Sequence, residues 1–229
     1  MSDQITIEAV DTDGAVQEAA EKVAGDSRAA FLAKGALFGG ALAGLGSLMV
    51  PEEARAQTAT DVAILQFAQT LEFLEAEFYA EALRMGALRG DVLRFARVVG
   101  EHERIHAQFI GRALGRAAVR KPRFNFRGTT ENQSSFVATA IVLEETGVAA
   151  YKGQAPRIDT RSILAAALAV HSVEARHAGW IRDLAGRNPA PNAFDQPLTL
   201  QQVLAAVAQT RFIAGPVTTV AGGRPLFTG

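Results

Sequence analysis

The chain of 229 residues has no cysteine. This excludes disulfides, thiolate nucleophiles and the zinc or iron–sulfur sites that rely on cysteine ligands. Aromatic residues make up only 7% of the chain, and the formal net charge is −1. A chain so close to neutral gives no overall indication of nucleic-acid binding. Alanine and leucine are abundant and runs of β-branched residues are few, so the composition favours one main all-α domain.

Negative charge is concentrated near the amino terminus. Residues 1–26 contain seven acidic side chains and one lysine, a net charge of −6, so the rest of the chain carries +5. This segment also shows little hydrophobic periodicity. It is therefore predicted to be a disordered acidic leader.

Residues 27–56 resemble an export signal. An uncharged apolar run of 16 residues occupies 35–50, which is short for a membrane span and suits the hydrophobic region of a signal peptide. The preceding SRAAFLAK is similar to the twin-arginine motif, but Ala29 stands where the second arginine is expected. The residues at 54–56 read Ala-Arg-Ala and fit a cleavage site, which would make Gln57 the first mature residue.

This segment predicts a protein exported to the periplasm or the cell envelope. The alternative is a buried or amphipathic helix in a cytoplasmic protein, because the arginine pair is broken and an acidic leader is unusual for a signal. Whether the segment is cleaved or kept as an anchor stays open, and so does a transient membrane contact through residues 35–50.

Residues 57–214 carry the apolar spacing of helices. Five are predicted, at about 60–85, 91–114, 134–152, 160–186 and 199–211. The third is expected to end at Lys152, because Gly153 and Pro156 follow. Short connections join the first helix to the second and the third to the fourth, whereas about twenty residues separate the second from the third. Two antiparallel hairpins joined by one long crossover make an up-down four-helix bundle, here followed by a short fifth helix and an extended Gly/Pro-rich tail at 215–229.

Two of the predicted helices repeat one motif. Glu103 and His106 lie three residues apart in EHERIHAQFI, and Glu174 and His177 do so in HSVEARHAGW. Residues three apart share a helix face. Each pair interrupts an apolar stripe, so a carboxylate and an imidazole are predicted to point into the bundle core.

The other two helices each place a glutamate seven residues before a tyrosine. Glu72 precedes Tyr79 and Glu144 precedes Tyr151, and the chain has no other tyrosine. From each of these glutamates to the glutamate of the next helix the spacing is 31 residues in the first hairpin and 30 in the second. The two hairpins therefore look like a pseudo-repeat.

Four carboxylates and two imidazoles in a core need compensation, because unpaired they would be strongly destabilised by the loss of water. Two divalent cations would neutralise four carboxylates. Oxygen and nitrogen ligands without sulfur suit iron or manganese better than copper or structural zinc. One glutamate from each of two helices plus Glu-x-x-His from each of the other two is the donor pattern of dinuclear iron and manganese proteins.

Four segments resemble the ferritin-like superfamily, in particular the exported bacterial ferritin-like domain proteins related to desiccation-related proteins. They are LEFLEAEFY (71–79), EHERIHAQF (101–109), LEETGVAAYKG (143–153) and SVEARHAGWIRDLAG (172–186). The resemblance covers roughly residues 60–212 and implies a ferritin-like four-helix bundle. It implies two iron (or manganese) ions held by six ligands, which are Glu72, Glu103, His106, Glu144, Glu174 and His177. It also implies that Glu103 and Glu174 bridge the ions, and that Tyr79 and Tyr151 lie beside the metals and take part in catalysis.

Two further glutamates are alternatives as ligands. Glu75 lies one turn from Glu72 and would share its face, but only Glu72 keeps the seven-residue offset to Tyr79. Glu145 falls on a stripe that ends at Lys152, which is typical of a solvated face.

Two histidines stand outside the Glu-x-x-His motifs. His102 lies four residues before His106, and His171 lies three residues before Glu174. Both are interpreted as core residues or as neighbours of the ligands, not as ligands.

A site of this kind predicts a metalloprotein that is redox-active toward O₂ or peroxide, in stress protection. Ferroxidase, peroxide-consuming and catalase-like activities would all use the same six ligands. Whether the protein is an enzyme stays undecided, because a non-enzymatic structural or desiccation-stress protein of the cell envelope, with or without metal, is the first alternative. Iron storage in a cage is the second. The sequence predicts no nucleic-acid partner and leaves a homo-oligomer open.

Overall fold

A computed structural model describes residues 57–227. The acidic leader at 1–26 and the export-like segment at 27–56 lie outside the described residues, so both stay predictions. Among the described helices, none combines the length and the hydropathy that a membrane crossing requires.

Five α-helices account for most of the described chain, which confirms the all-α prediction. They are α1 (Ala59–Met85), α2 (Gly90–Leu114), α3 (Gln133–Gln154), α4 (Arg161–Leu184) and α5 (Leu200–Thr210). Two short strands, β1 (Arg123–Phe124) and β2 (Ile213–Ala214), pair in antiparallel orientation. Because β1 lies between α2 and α3 and β2 follows α5, this pairing fastens the long crossover to the carboxyl-terminal segment.

Polar side chains cap the amino-terminal ends of three of the helices. Those of Thr58 and Asn132 each accept a hydrogen bond from the backbone N–H three residues on, ahead of α1 and α3. Thr199 and Gln202 form a capping box at the start of α5. Gly86 ends α1 with a φ of 67°, a conformation in which glycine carries no steric penalty. Local sequence signals of this kind place the helix ends close to their predicted positions.

The helices pack as two hairpins that close into a bundle. α1 lies along α2, and α3 lies along α4. α2 also contacts α4, and α1 contacts α3, so each helix has neighbours in both hairpins. This is the predicted four-helix bundle with one long crossover between α2 and α3.

The third helix runs past its predicted end. It continues through Gly153 to Gln154, and a single 3₁₀ turn then takes in Pro156. The glycine serves close packing here, because a Cβ at Gly153 would lie 1.9 Å from the Leu198 carbonyl oxygen. The backbone ahead of α5 thus rests directly on α3, where Leu198 N donates to the Ala149 carbonyl at 3.0 Å.

The Gly/Pro-rich tail lies against the bundle over its described residues, 215–227. Phe227 meets Phe67 of α1 edge-on, with ring centroids 5.8 Å apart. The backbone N–H of Leu226 donates to the side-chain oxygen of Gln66 at 2.7 Å. The tail, predicted as extended, is therefore irregular backbone anchored by one aromatic side chain.

Two apolar clusters fill opposite ends of the bundle interior. One includes Phe78, Tyr79, Phe95 and Phe136, and the other includes Ala68, Ile110, Tyr151 and Val170. On α1, Glu72 lies between Ala68 and Phe78. On α2, Glu103 lies between Phe95 and Ile110. The helices therefore hold the candidate site as a polar layer between two apolar layers.

Replacing Gly153 by alanine should destabilise the protein. The new Cβ would meet the Leu198 carbonyl oxygen, and relieving such overpacking costs about 1–3 kcal/mol. Thermal unfolding followed by circular dichroism should show a midpoint several degrees below wild type. Gly179→Ala in α4 is the matched control, because the nearest heavy atom to its Cβ lies 3.4 Å away and alanine favours the helix. Equal midpoints for the two variants would contradict the role of Gly153.

Candidate metal centre

Each helix of the bundle buries at least one glutamate at the same level. Glu72 is 1% exposed, and Glu103, Glu144 and Glu174 are 0% exposed. Their burial follows from the apolar stripes, which turn one face of each helix toward the bundle axis. Four carboxyl groups so placed repel one another when ionised and lose their hydration, so the arrangement is costly unless positive charge accompanies it.

The first group of possible metal-binding atoms surrounds His106. Its Nδ1 lies 3.3 Å from Glu72 Oε2, and 3.1 Å from both Glu103 Oε2 and Glu174 Oε1. The nitrogen and the carboxylate oxygens of this group all lie within 4.8 Å of one another. One atom from each of three helices plus one imidazole is a donor set that a single cation can use.

The second group surrounds His177. Its Nδ1 lies 2.9 Å from Glu103 Oε1, 3.4 Å from Glu144 Oε2 and 3.7 Å from Glu174 Oε2. These ligand atoms too lie within 4.8 Å of one another. Glu103 and Glu174 belong to both groups, each through a different oxygen at each imidazole. The structure thus brings together all six residues that the sequence singled out, in two overlapping sets.

The two tyrosines brace the two glutamates that belong to one group only. The Tyr79 hydroxyl donates to Oε1 of Glu144, and the Tyr151 hydroxyl donates to Oε1 of Glu72. Both bonds cross between α1 and α3. In each carboxylate the braced oxygen is Oε1, so Oε2 is left to face the nearby imidazole. Burial, together with the charge of its partner glutamate, raises the pKa of each tyrosine, so both phenols keep their protons and remain donors.

Several site atoms have no hydrogen-bond partner among the described residues. They are Oε2 of Glu72, Oε1 of Glu103, Oε2 of Glu144, both oxygens of Glu174, and Nδ1 of His177. Their neighbours stand within ion-pair distance but without the alignment of a hydrogen bond. Buried polar atoms left unpaired cost free energy, so convergent unpartnered atoms of this kind favour a bound cation. Oxygen and nitrogen donors without sulfur fit iron or manganese, so the residues present suit the metals that the resemblance implies.

Without a bound cation the imidazoles would supply the positive charge. Burial alone would lower the pKa of His177, but its contacts with three site glutamates raise it to about 12. Burial and contacts oppose each other at His106 in the same way, and its pKa also lies well above the ordinary value. Each ring therefore holds a proton in a place where a metal ion would otherwise stand.

The glutamates differ in how they respond to this setting. Burial, strengthened by the charge of Glu174, raises the pKa of Glu103 well above its usual range. Burial also raises the pKa of Glu144, to about 7, although His177 opposes the rise. At Glu174 burial acts in the same direction, but contacts with the two histidines outweigh it and lower the pKa to about 2. The pKa values of carboxyl groups in one layer are thus shifted in opposite directions, and added positive charge would lower them.

A fifth buried glutamate faces the same layer. Glu75 is only 4% exposed, and burial together with the charges of the four site glutamates raises its pKa well above the usual range. It lies beside Gly147, where a Cβ would stand 3.4 Å from Glu174 Oε2 and 3.5 Å from Glu75 Oε1. Glu72 and Glu75 are thus both buried, but only Glu72 belongs to one of the two groups of possible metal-binding atoms. Gly147 follows Glu144 by three residues, whereas in α2 and α4 a histidine follows the site glutamate at this spacing. A glycine in place of the histidine is the feature of the sequence that indicates space for the extra carboxyl group.

The other residues considered from the sequence as ligands or neighbours of the site lie outside the two groups of possible metal-binding atoms. Glu145 is exposed and pairs with Arg182. His102 Nδ1 lies 2.9 Å from His177 Nε2, so His102 holds the ring nitrogen that points away from the carboxylates. His171 is half-buried, and its Nε2 has no hydrogen-bond partner among residues 57–227. His102 is thus a neighbour of the site, as interpreted, while His171 remains apart from both groups.

Comparison with known proteins agrees with this geometry. No curated protein matches the chain. A family model described as a ferritin-like domain matches residues 60–187, which span α1 to α4 and contain all six residues of the two groups. With the four-helix bundle and its group of carboxylate and imidazole side chains able to hold metal, this match shows that the chain belongs to the ferritin-like domain family.

Proposed function

We propose that this protein binds two iron or manganese ions and uses them to react with dioxygen or peroxide. The observation that carries the proposal is the overlap of the two ligand groups at Glu103 and Glu174. Two sites that share two carboxylates would hold their ions close together, and adjacent ions are what a dinuclear centre requires.

The ligands would divide evenly between the ions. One ion would take Glu72, Glu103, His106 and Glu174, and the other Glu103, Glu144, Glu174 and His177. The four carboxylates would balance two divalent charges, which offsets the cost of burying them. When bound, iron or manganese would supply the electrons that O₂ or peroxide takes up.

The protein's own groups would orient the ligands and keep the site dry. Tyr79 and Tyr151 hold one oxygen of Glu144 and Glu72, so the free oxygen of each carboxylate is presented to the metal. His102 fixes the ring of His177 from its far side. The apolar layers above and below exclude water, which would limit escape of reactive oxygen species.

A second candidate is a non-enzymatic stress or structural protein of the exported, desiccation-related kind. It is favoured by the contacts of both histidines with the glutamates, because two imidazolium rings already compensate part of the buried charge. Either function would operate at the cell envelope if residues 27–56 direct export. Dioxygen consumption after anaerobic loading with Fe(II) separates the two candidates.

Metal analysis tests the proposal directly. After anaerobic loading, wild-type protein should hold about two equivalents of iron or manganese per chain, measured by inductively coupled plasma mass spectrometry. The double variant Glu103→Ala/Glu174→Ala removes both shared ligands and should lose most of the metal. Glu145→Ala is the control, since Glu145 is an exposed residue paired with Arg182, and it should retain the metal. Failure of the wild type to bind either metal would end the proposal, and metal uptake without oxygen consumption would favour the structural candidate.

Removing either tyrosine hydroxyl should slow the reaction more than it lowers metal content. Tyr79→Phe and Tyr151→Phe keep the ring but leave a carboxylate oxygen unpaired, which costs about 1–3 kcal/mol of stability. The loosened ligand should reduce the rate of oxygen consumption by iron-loaded protein, followed with an oxygen electrode. Phe78→Leu, which changes a buried ring that makes no polar contact with the site, controls for repacking. Rates equal to wild type in both tyrosine variants would rule out a role for the phenols.

Metal binding should release protons and strengthen as the pH rises. A histidine binds metal as the neutral ring, whereas His177 without metal keeps its proton up to a pKa of about 12. Lower pH therefore favours the protonated ring and opposes the metal. The stability that the ion pairs of the protonated ring give to the metal-free fold has the opposite pH dependence. It is complete below the ordinary histidine pKa of about 6.5 and is lost as the pH rises toward 12.

Calorimetric titration with Mn(II) would count these protons. The binding heat should depend on the ionisation enthalpy of the buffer, and the affinity should be higher above neutrality than below it. Glu145→Ala should behave like wild type, because its ligands are intact. A heat that is the same in every buffer would mean that the rings bind no metal.

A further inference from the structure

A partly open apolar cavity lies between the four helices of the bundle, next to the candidate metal centre. Its volume is about 40 Å³. Side chains from α1, α2, α3 and α4 line it, among them Ala68, Leu71, Ile110, Tyr151, Ile163 and Val170. It belongs to the apolar layer that contains Tyr151, not to the aromatic layer that contains Tyr79.

The cavity lies one helical turn from the site. Ala68 is four residues before Glu72, Ile110 is four residues after His106, and Val170 is four residues before Glu174. Four residues advance about 6 Å along a helix, so the three helices place the cavity in the next layer of the bundle. On α3, Tyr151 lines the cavity with its ring while its hydroxyl donates to Glu72. One side chain thus touches both the cavity and a candidate ligand.

The polarity of the side chains that line the cavity determines which small molecule can bind there. The volume exceeds the ~10–15 Å³ that one water molecule needs, but an ordered water also needs two to four polar partners. Among the described lining residues the polar side chains are Tyr151 and Gln154. The Tyr151 hydroxyl donates to Glu72, and the side-chain oxygen of Gln154 accepts from Arg157. The remaining walls are apolar, and walls of this kind hold water poorly and take up small apolar molecules. Peroxide would lose its hydrogen bonds with water on entering, whereas dioxygen has almost none to lose.

We propose that this cavity is a binding site for dioxygen, one turn from the metal centre, and that it favours dioxygen over peroxide as the oxidant. The half-buried side chains of Leu65, Phe109 and Ala167 form part of its wall, so small movements of these residues would admit a diatomic molecule from the surface. What happens to the dioxygen afterwards depends on the proposed metal chemistry, but its binding in the cavity does not.

Dissolved oxygen itself is the probe. It is paramagnetic, so it speeds the relaxation of nearby methyl groups in nuclear magnetic resonance of the isotope-labelled, metal-free protein. The methyls of Ile110 and Ile163, which line the cavity, should relax several-fold faster under oxygen pressure than those of Ile141 and Ile181. All four side chains are buried, at 3%, 9%, 4% and 0% exposure, so a difference would report oxygen in the cavity and not access from solvent. Equal effects at the four residues would overturn the proposal.

A variant that fills the cavity provides a second test. Ala167→Leu adds side chain at a half-buried lining position, while Ala165→Leu adds the same atoms at an exposed position of the same helix. Ala167→Leu should abolish the excess relaxation at Ile110 and Ile163, and Ala165→Leu should preserve it. After iron loading both variants should bind metal like wild type, but Ala167→Leu should consume oxygen several-fold more slowly.

The outcomes separate this proposal from the one on which it rests. Oxygen in the cavity of a protein that consumes none would refute the metal chemistry and leave the binding site standing. Consumption by Ala167→Leu at the rate of Ala165→Leu would refute delivery through the cavity. Thermal unfolding of both variants checks their folding, and if Ala167→Leu fails to fold, the methyl comparison in the wild type still decides whether oxygen binds.

Discussion

The burial of several carboxylates at one level of a helical bundle is the constraint on which the rest of the structure depends. Glu72, Glu103, Glu144 and Glu174 are shielded from water almost completely, so neither hydration nor ionic screening reduces their repulsion. Two imidazoles that contact the carboxylates and two phenols that donate hydrogen bonds to them compensate part of this cost. A layer built in this way stabilises the fold poorly by itself, so the flanking apolar layers must supply the stability.

The two flanking layers are unequal, although the two halves of the sequence resemble each other. On the Tyr79 side the rings of Phe78, Phe95 and Phe136 each pack edge-on against the phenol, and Phe78 stacks on Phe136. On the Tyr151 side small and branched side chains leave a cavity of about 40 Å³. Rings in mutual contact fill the first layer, whereas the second contains a cavity that a small molecule could occupy. The two sides of the pseudo-symmetric set of candidate ligands are therefore packed differently.

The centre itself departs from its pseudo-repeat in a second way. Two helices carry a histidine three residues after the site glutamate, whereas α1 carries Glu75 and α3 carries Gly147 at that position. The missing side chain of Gly147 leaves room for the extra carboxyl of Glu75. His177 is further distinguished from His106 by a contact between its outer nitrogen and His102. The two halves therefore offer a metal different surroundings, in charge as well as in packing.

Most of the framework was predictable because it rests on local rules. Apolar spacing and capping residues such as Thr199 specify where helices lie, and short connections make neighbouring helices antiparallel. The same periodicity specifies that Glu103 and His106, or Glu174 and His177, share an inward face. These inferences need only residues within a few turns of one another, so they hold before any tertiary contact forms.

By itself, then, the sequence determined an all-α bundle and the residues that point to its axis. Tertiary structure alone decided which atoms meet there. Tyr79 donates to a glutamate 65 residues away, and Tyr151 to one 79 residues away. The close approach of Gly153, in the last turn of α3, to Leu198 is likewise a tertiary contact, and so is the position of Glu75 beside Gly147. Periodicity specifies the face that a side chain occupies but not its partner on another helix, because that partner is set by how the four helices are rotated and shifted against one another.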